Sequence, residues 1–280
     1  MNELKEKLLP LRERNPYKII YAPLTEGDTA QCRMKPAESH LQWQKIHCHK
    51  HYCRELLYVI SGSCITFAGN DFFHFPAGTL QFFPGNTPHN SLYYPGSSGV
   101  HIWAKLQAMH MTCFIYEILS SMPEVTSTVI YSYSFSEENI IKKLNNVLDE
   151  VQQGNTENTA ELEALCRLIF ISLCRNLNPA NDPQREMMIN IRKMLSCNCG
   201  RDMDLEYLAG LAGCSKQHFM RKFKEINGCT TREVVKAARL KELDEIPPGM
   251  LTKELADKLG FDSPAAFCHW RKKHFPPTNK

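Results

Sequence analysis

The sequence predicts a two-domain chain: an all-β barrel with an appended helical pair, followed by an all-α domain of two helix-turn-helix units joined by a linker helix. Three observations predict it. Between residues 17 and 107, short runs rich in Val, Ile, Tyr, Phe and Thr alternate with Gly- and Pro-containing turns, the signature of a sandwich or barrel. Residues 136–177 carry apolar side chains at helical spacing. Residues 205–274 hold two successive patterns of short helix, glycine turn and capped second helix. A length of 280 residues suits two domains better than one.

The β runs are Glu55–Ile60, Cys64–Ala68, Phe72–Phe75 and Thr79–Phe83, ended in turn by Ser61-Gly62-Ser63, Gly69-Asn70-Asp71, Pro76-Ala77-Gly78 and Pro84-Gly85-Asn86. Residues 1–16 are polar and amphipathic, a short helix or an arm. After His110 the pattern reads as helical, first over Met109–Ser121. Ser136–Gln153 places Ile140, Ile141, Leu144, Leu148 and Val151 at helical spacing. Glu161–Leu177 follows across a short polar loop, which favours an antiparallel pair that caps the barrel or forms a dimer interface. The segment from Asn178 to Pro183 has linker composition. The expected organisation is therefore a barrel over 1–110, a helical dimerisation segment and linker over 111–183, and a separate domain over 184–280.

Composition excludes several classes. Apolar residues make up 43% and charged residues 22%, which argues against wholesale disorder. The most apolar stretch, Ala164–Cys174, is short and contains Arg167, too little to span a bilayer. Charges at Glu3, Lys5, Glu6 and Lys7 stand where a secretory signal needs an apolar core, so a cytoplasmic location is expected. The 12 cysteines are scattered and are expected as reduced thiols. Net charge is +3, but it divides unevenly: residues 184–280 carry 18 basic and 12 acidic side chains, leaving 15 and 18 for the rest. A basic C-terminal third behind a mildly acidic body points to a nucleic-acid module joined to something else.

That third carries the clearest motif. Leu205, Leu208, Ala209 and Ala212 share one helical face after a candidate N-cap, Asp204. Gly213 turns the chain, and Ser215 caps a second helix to about Asn227. Phe219, Phe223 and Ile226 would pack inward, leaving Lys216, Gln217, Met220, Arg221, Lys222 and Lys224 toward a major groove. The pattern recurs: Leu251–Leu259, a turn at Gly260-Phe261-Asp262, then Ser263 as cap and Pro264 as first helical residue. Thr231–Ile246 links the two units.

These residues resemble the DNA-binding domain of the arabinose-regulator (AraC/XylS) family. Leu208-Ala209, Gly213, Ser215, Phe223-Lys224-Glu225 and Gly228 match the first unit, Arg239-Leu240 the linker helix, and Leu255-Ala256, Gly260-Phe261 and Phe267 the second unit. The resemblance covers about Ile189–Phe275 and implies a domain of seven helices. It also implies that both second helices enter successive major-groove segments. Base-reading positions fall on Lys216, Gln217, Met220 and Arg221 in the first unit, and on Ala265, Ala266 and His269 in the second, with Lys272 and Lys273 suited to phosphate. The first unit offers the bidentate donors and is expected to carry more of the discrimination. The chain departs from the family at Arg271, where a buried phenylalanine is usual, and at Phe275-Pro276-Pro277.

A second resemblance lies in the N-terminal half. His49, His51, Glu55 and Gly62 follow the first motif of the cupin barrels, and Pro84-Gly85-Asn86-Thr87-Pro88-His89 resembles the second, with Asn86 at the usual glycine. The set His49, His51, Glu55 and His89 would suit a divalent transition metal. The same residues could instead hydrogen-bond across the barrel mouth without one. Sensor domains of the regulator family share the cupin-like barrel, and aromatic faces beside Arg, Glu and His donors would suit a small polar effector such as a sugar. Trp43, Tyr58, Phe73, Phe82 and Trp103 are candidate lining aromatics beside the histidines and Glu55.

The resemblances together imply a ligand-responsive transcription regulator, more an activator than a repressor, and not an enzyme. Its expected partners are promoter DNA, a small-molecule effector, a second copy of the chain and RNA polymerase, with no membrane. Two other readings stay open: a metal-dependent cupin enzyme fused to a DNA-binding domain, and a metal- or redox-responsive regulator using the His/Cys neighbourhood of Cys48 and Cys53.

Overall fold

The structure, a computed structural model, describes residues 6, 18–21, 32–93, 98–121, 124–135, 137–155, 159–176, 182–246 and 249–274. The expected N-terminal arm, most of the linker at 178–183 and the ending Phe275-Pro276-Pro277 lie outside these residues. The chain divides into two compact units, Met1–Asn190 and Ile191–Lys280.

The first unit is built on two sheets. Its strands are β1 (Lys18–Tyr21), β2 (Arg33–Met34), β3 (Arg54–Ser61), β4 (Ser63–Ala68), β5 (Asp71–Pro76), β6 (Thr79–Phe83), β7 (His89–Leu92), β8 (Gly99–Leu106), β9 (Met111–Ser121) and β10 (Glu124–Phe135). One sheet has the order β1-β6-β3-β8-β9-β10, the other β2-β5-β4-β7. Helix α1 (Glu38–His47) precedes β3, and α2 (Glu138–Gln152) and α3 (Thr159–Asn176) follow β10.

Strand alternation sorts the larger sheet into two faces. Leu56, Tyr58 and Ile60 of β3, Leu80 and Phe82 of β6 and Ile102, Ala104 and Leu106 of β8 share one core with Ile141, Leu144 and Leu148 of α2 and Leu162, Ile169 and Phe170 of α3. Leu57, Val59 and Phe83 point the other way, onto Cys64, Phe73 and Phe75 of the smaller sheet. Side chains such as Leu57 and Phe83 are wholly buried, each contributing roughly 1.5–3 kcal/mol. Arg54 ties β3 to α2: it donates to Asn145 Oδ1 at 2.8 Å and pairs with Asp149.

The helix expected over Met109–Ser121 is instead the strand β9, paired antiparallel with β10 along nearly its whole length. Over Met111–Ile115 both faces of β9 are buried, with Met111, Cys113 and Ile115 against the helices and Thr112 and Phe114 also enclosed. A strand buried on both faces loses the alternation that identifies strands, and its apolar run reads equally well as helix. The β architecture consequently runs to Phe135 rather than ending near residue 110. The two later helices match their expected spans within two residues at either end.

Two turns show why particular residues stand there. Gly62, between β3 and β4, has φ +76°, and a Cβ on it would sit 2.2 Å from the Ser98 carbonyl oxygen. Asn86, at the usual glycine of the second motif, has φ 62°. Asparagine is one of the few side chains that tolerates this left-handed conformation.

The second unit is helical. It is entered by α4 (Pro183–Cys197), within which the division at Asn190 falls. It continues with α5 (Leu205–Leu211), α6 (Lys216–Asn227), α7 (Thr231–Glu245), α8 (Thr252–Lys258) and α9 (Pro264–His274). These are six helices among the described residues, against the seven implied by resemblance. Leu208, Leu211, Phe219 and Phe223 are buried in the first half, and Ala256, Leu259 and Phe267 form the second core with Phe261 and Trp270.

Candidate functional site

Helices α5 and α6 form the first helix-turn-helix. Asp204 caps α5, accepting from Tyr207 N at 2.7 Å, and Ser215 caps α6, accepting from His218 N at 3.3 Å. Gly228 ends α6 in a left-handed conformation with φ 70°. Phe219 and Phe223 anchor one face of α6, so the opposite face is presented outward. Lys216, Gln217, Met220, Arg221 and Lys224 are exposed there, and Lys222 is half-buried. Met220 keeps 47% of its surface accessible, high for a large apolar side chain. Three of the cations rest on local partners: Lys216 on Glu206 at 3.0 Å, Lys222 on Glu225 at 3.3 Å, and Arg221 on His218 Nδ1 at 3.4 Å.

Helices α8 and α9 repeat the arrangement. Ser263 accepts from Ala266 N at 3.2 Å, and Phe267 is buried. Ala265, Ala266, His269, Lys272 and Lys273 are all exposed on α9. Arg271, the departure from the family pattern, is exposed as well. It therefore occupies no core slot. Trp270 instead packs against Phe261 and Phe267, with ring centroids 5.4 and 6.5 Å away.

Linker helix α7 starts at a capping box, in which Thr230 and Glu233 bond reciprocally. Its Arg239 donates from Nε to the Leu259 carbonyl at 2.9 Å and from Nη2 to the Gly260 carbonyl at 2.7 Å, with its guanidinium 3.8 Å from the Phe261 ring centroid. Within this unit a cleft of about 910 Å³ is lined by Leu208, Met220 and Phe223 of the first half, Arg232 and Lys236 of α7, and Trp270 of the second.

In the N-terminal unit the structure gathers one ligand atom from each of His49, His51, Glu55 and His89 within 4.8 Å of one another. An antiparallel bridge between His49 and His89 brings the two motifs together. His89 Nε2 lies 2.8 Å from Glu55 Oε2, its Nδ1 lies 2.7 Å from the Thr87 carbonyl, and His51 Nε2 is 3.5 Å from Glu55 Oε1. Cys48 and Cys53 are not among these donors.

Sequence reasoning missed the fifth member. Lys105, buried on β8, pairs its ammonium with Glu55 Oε1. Burial alone would raise the Glu55 pKa. The Lys105 charge, the His89 hydrogen bond and the histidine charges outweigh it and hold the carboxyl well below its ordinary range. Burial lowers His51 to about 4 against the pull of Glu55, and lowers His49 with the help of the His89 charge. The signal for Lys105 was its parity: β8 alternates, and Lys105 shares a face with Trp103 and His101 while Ile102, Ala104 and Leu106 take the other. As it stands this donor set does not fit a divalent ion. Two unit charges 4 Å apart repel by about 4 kcal/mol at an effective dielectric constant of about 20, and a divalent ion about doubles that.

The candidate lining aromatics scatter. Trp103 reaches the cluster, stacking at 6.0 Å on His89 and 5.5 Å on Phe83, itself an unforeseen neighbour. Phe73 belongs to the core between the sheets. Tyr58 and Phe82 lie on the opposite face, where Tyr58 meets Phe170 of α3 at 5.1 Å. Trp43 sits on α1, edge-on to Phe67 at 5.9 Å. Each follows from strand parity or element position, which composition does not reveal.

The geometry of the second unit is that of two helix-turn-helix arrangements joined by a linker helix. The chain is 38% identical over 78 residues to a probable transcription factor, PqrA, of Proteus vulgaris, a match covering 26% of this chain and 62% of that one. The chain thus spans somewhat less than two thirds of the curated relative it matches. No known protein-family profile matches the chain. Among solved structures it is similar to ToxT of Vibrio cholerae, with 11% identity and a TM-score of 0.25 over 80% of this chain and 88% of that one. A ToxT structure with a bound unsaturated fatty acid gives 12% identity and a TM-score of 0.24, over 81% of this chain and 85% of that one. No helix among the described residues is long and apolar enough to cross a membrane.

Proposed function

We propose that this chain is a ligand-responsive, sequence-specific DNA-binding transcription regulator, with its sensor over the N-terminal β unit and its DNA-binding domain over the C-terminal third. The observation that carries the reading is the pair of capped, outward-facing helices α6 and α9, the first anchored by buried Phe219 and Phe223 and the second by buried Phe267, and each exposing residues suited to DNA. Gln217 and Arg221 can make bidentate contacts to adenine and guanine. Lys224, Lys272 and Lys273 supply phosphate contacts that set register.

The β unit is read as a cupin-like sensor whose effector is a small polar molecule, a sugar among the candidates. It would enter beside His49, His51, His89 and Trp103. The helices α2 and α3 are the proposed dimerisation surface, and activation through RNA polymerase the proposed output, in the cytoplasm. Ligand binding changes DNA affinity only through a difference in affinity between two states of the chain. The metal-enzyme and metal-sensor alternatives lose support at Glu55, whose carboxylate is already taken by Lys105 and His89.

Selection of duplexes from a random pool by the full chain tests the reading. The expected outcome is an enriched motif with two half-sites about one helical turn apart and affinity that falls steeply with salt. Binding without sequence preference would overturn it. A thermal-shift screen of sugars and other polar metabolites then seeks the effector, since a ligand of the native state raises the melting temperature.

A further inference from the structure

The histidine cluster of the β unit has the donors of a metal site and one group that no metal site would choose. Lys105 is enclosed at 6% exposure and its ammonium rests on Glu55 Oε1. Its strand neighbour on the same face, Trp103, covers the cluster from the side. The backbone leaves the lysine little alternative. Lys105 pairs with Glu55 directly across the β3–β8 ladder, and Ala104 and Leu106 on either side are committed to the helix-facing core. A buried ammonium needs an anion, and Glu55 is the acidic member of this cluster.

We propose that Lys105 is the resident cation of the cluster, supplying internally the positive charge that a divalent ion would bring, and that it thereby excludes transition metals from His49, His51, Glu55 and His89. Lys105 is then the residue that decides ligand class at this site. With it, the cluster is left to an organic molecule rather than to an ion. Without it, the same imidazoles and carboxylate become a transition-metal site. The exclusion of metal follows from the cluster alone. Only the organic ligand rests on the sensor reading above, so a failed effector screen leaves the metal measurement standing.

Cobalt(II) titration of the full chain, followed by its visible ligand-field absorption and by equilibrium dialysis, tests the proposal. The native chain is expected to bind no stoichiometric cobalt at neutral pH. Lys105→Met is expected to bind one ion per chain, at least about tenfold more tightly than the native chain, and His49→Ala in that background is expected to abolish it. Lys105→Gln, which keeps a polar partner for Glu55, serves the same purpose if Lys105→Met does not fold. One equivalent of cobalt on the native chain, lost in His49→Ala, would overturn the proposal. So would a folded Lys105→Met or Lys105→Gln chain that binds cobalt no better than the native one.

Discussion

Arg239 of the linker helix donates to the carbonyl oxygen of Gly260 at 2.7 Å. Gly260 is the turn residue of the second helix-turn-helix, so one guanidinium holds the linker against the second unit. It also bonds Leu259 O and stacks on Phe261. Arg239→Ala would leave both carbonyls without this donor and remove the stacked face. Hydrogen bonds from a charged donor contribute about 1.5–3 kcal/mol each, part of which water restores at a half-buried site. The expected loss is about 2–3 kcal/mol in denaturant unfolding of the full chain. Arg239→Lys should recover less than half, because an ammonium has no planar fork to reach two carbonyls.

Helices α6 and α9 expose unequal chemistry, and on the proposed function their contributions to DNA binding should be unequal. Arg221→Ala on α6 is expected to cost about 1–3 kcal/mol of specific binding and to relax preference at one base pair. Lys272→Ala should weaken all sequences alike and lower the salt dependence by about one phosphate. His269→Ala should cost less specificity than Arg221→Ala. A quantitative binding series against single-base variants of the selected site checks all three, and a larger loss for His269→Ala would reverse the assignment.

How much of this was legible in the sequence depended on periodicity and on where a signal had to come from. The C-terminal unit is made of local elements: Asp204, Ser215 and Thr230 cap helices that the sequence bounds within a residue or so. The exposed faces of α6 and α9 followed directly from their helical spacing. Strand β9 reads as a helix because burial on both faces over Met111–Ile115 erases the alternation there. The histidine cluster was found through motif spacing, but Lys105 lies 50 positions from Glu55 and meets it only through sheet register. Tyr58 and Phe82 were placed at the ligand because they are aromatic, when strand parity puts them on the helix-facing side.

The Glu55–Lys105 pair predicts its own mutational signature. Glu55→Gln removes the carboxylate on which the Lys105 ammonium rests, and Lys105→Met removes the ammonium that pairs with Glu55. Removing one partner of a buried pair costs about 3–5 kcal/mol. The double variant Glu55→Gln/Lys105→Met removes both charges and should lose markedly less than the two single effects combined. Denaturant unfolding of the four chains measures this coupling, and strict additivity would show that the two groups do not depend on each other.

Acid should destabilise the β unit in two separate windows. His101, enclosed on β8 beside the Tyr93 hydroxyl at 3.2 Å, is lowered to about 4 by burial, with the Ser61 backbone opposing. The unfolded chain therefore binds its proton near pH 6.5 while the folded chain resists until about 4. The stability held above pH 6.5 is lost as pH falls through that window, at about 1.4 kcal/mol per pH unit for this one proton. Glu55 acts lower. Its folded value lies well below the ordinary carboxylate range, so its contribution is present above about pH 4.5 and is lost as the pH drops further. Chemical denaturation at a series of pH values separates the two. His101→Asn should reduce the slope between pH 6.5 and 4 by about one proton and leave the more acidic phase in place, whereas Glu55→Gln should remove part of the acidic phase. An unchanged slope in His101→Asn would show that His101 is not held neutral by its enclosure.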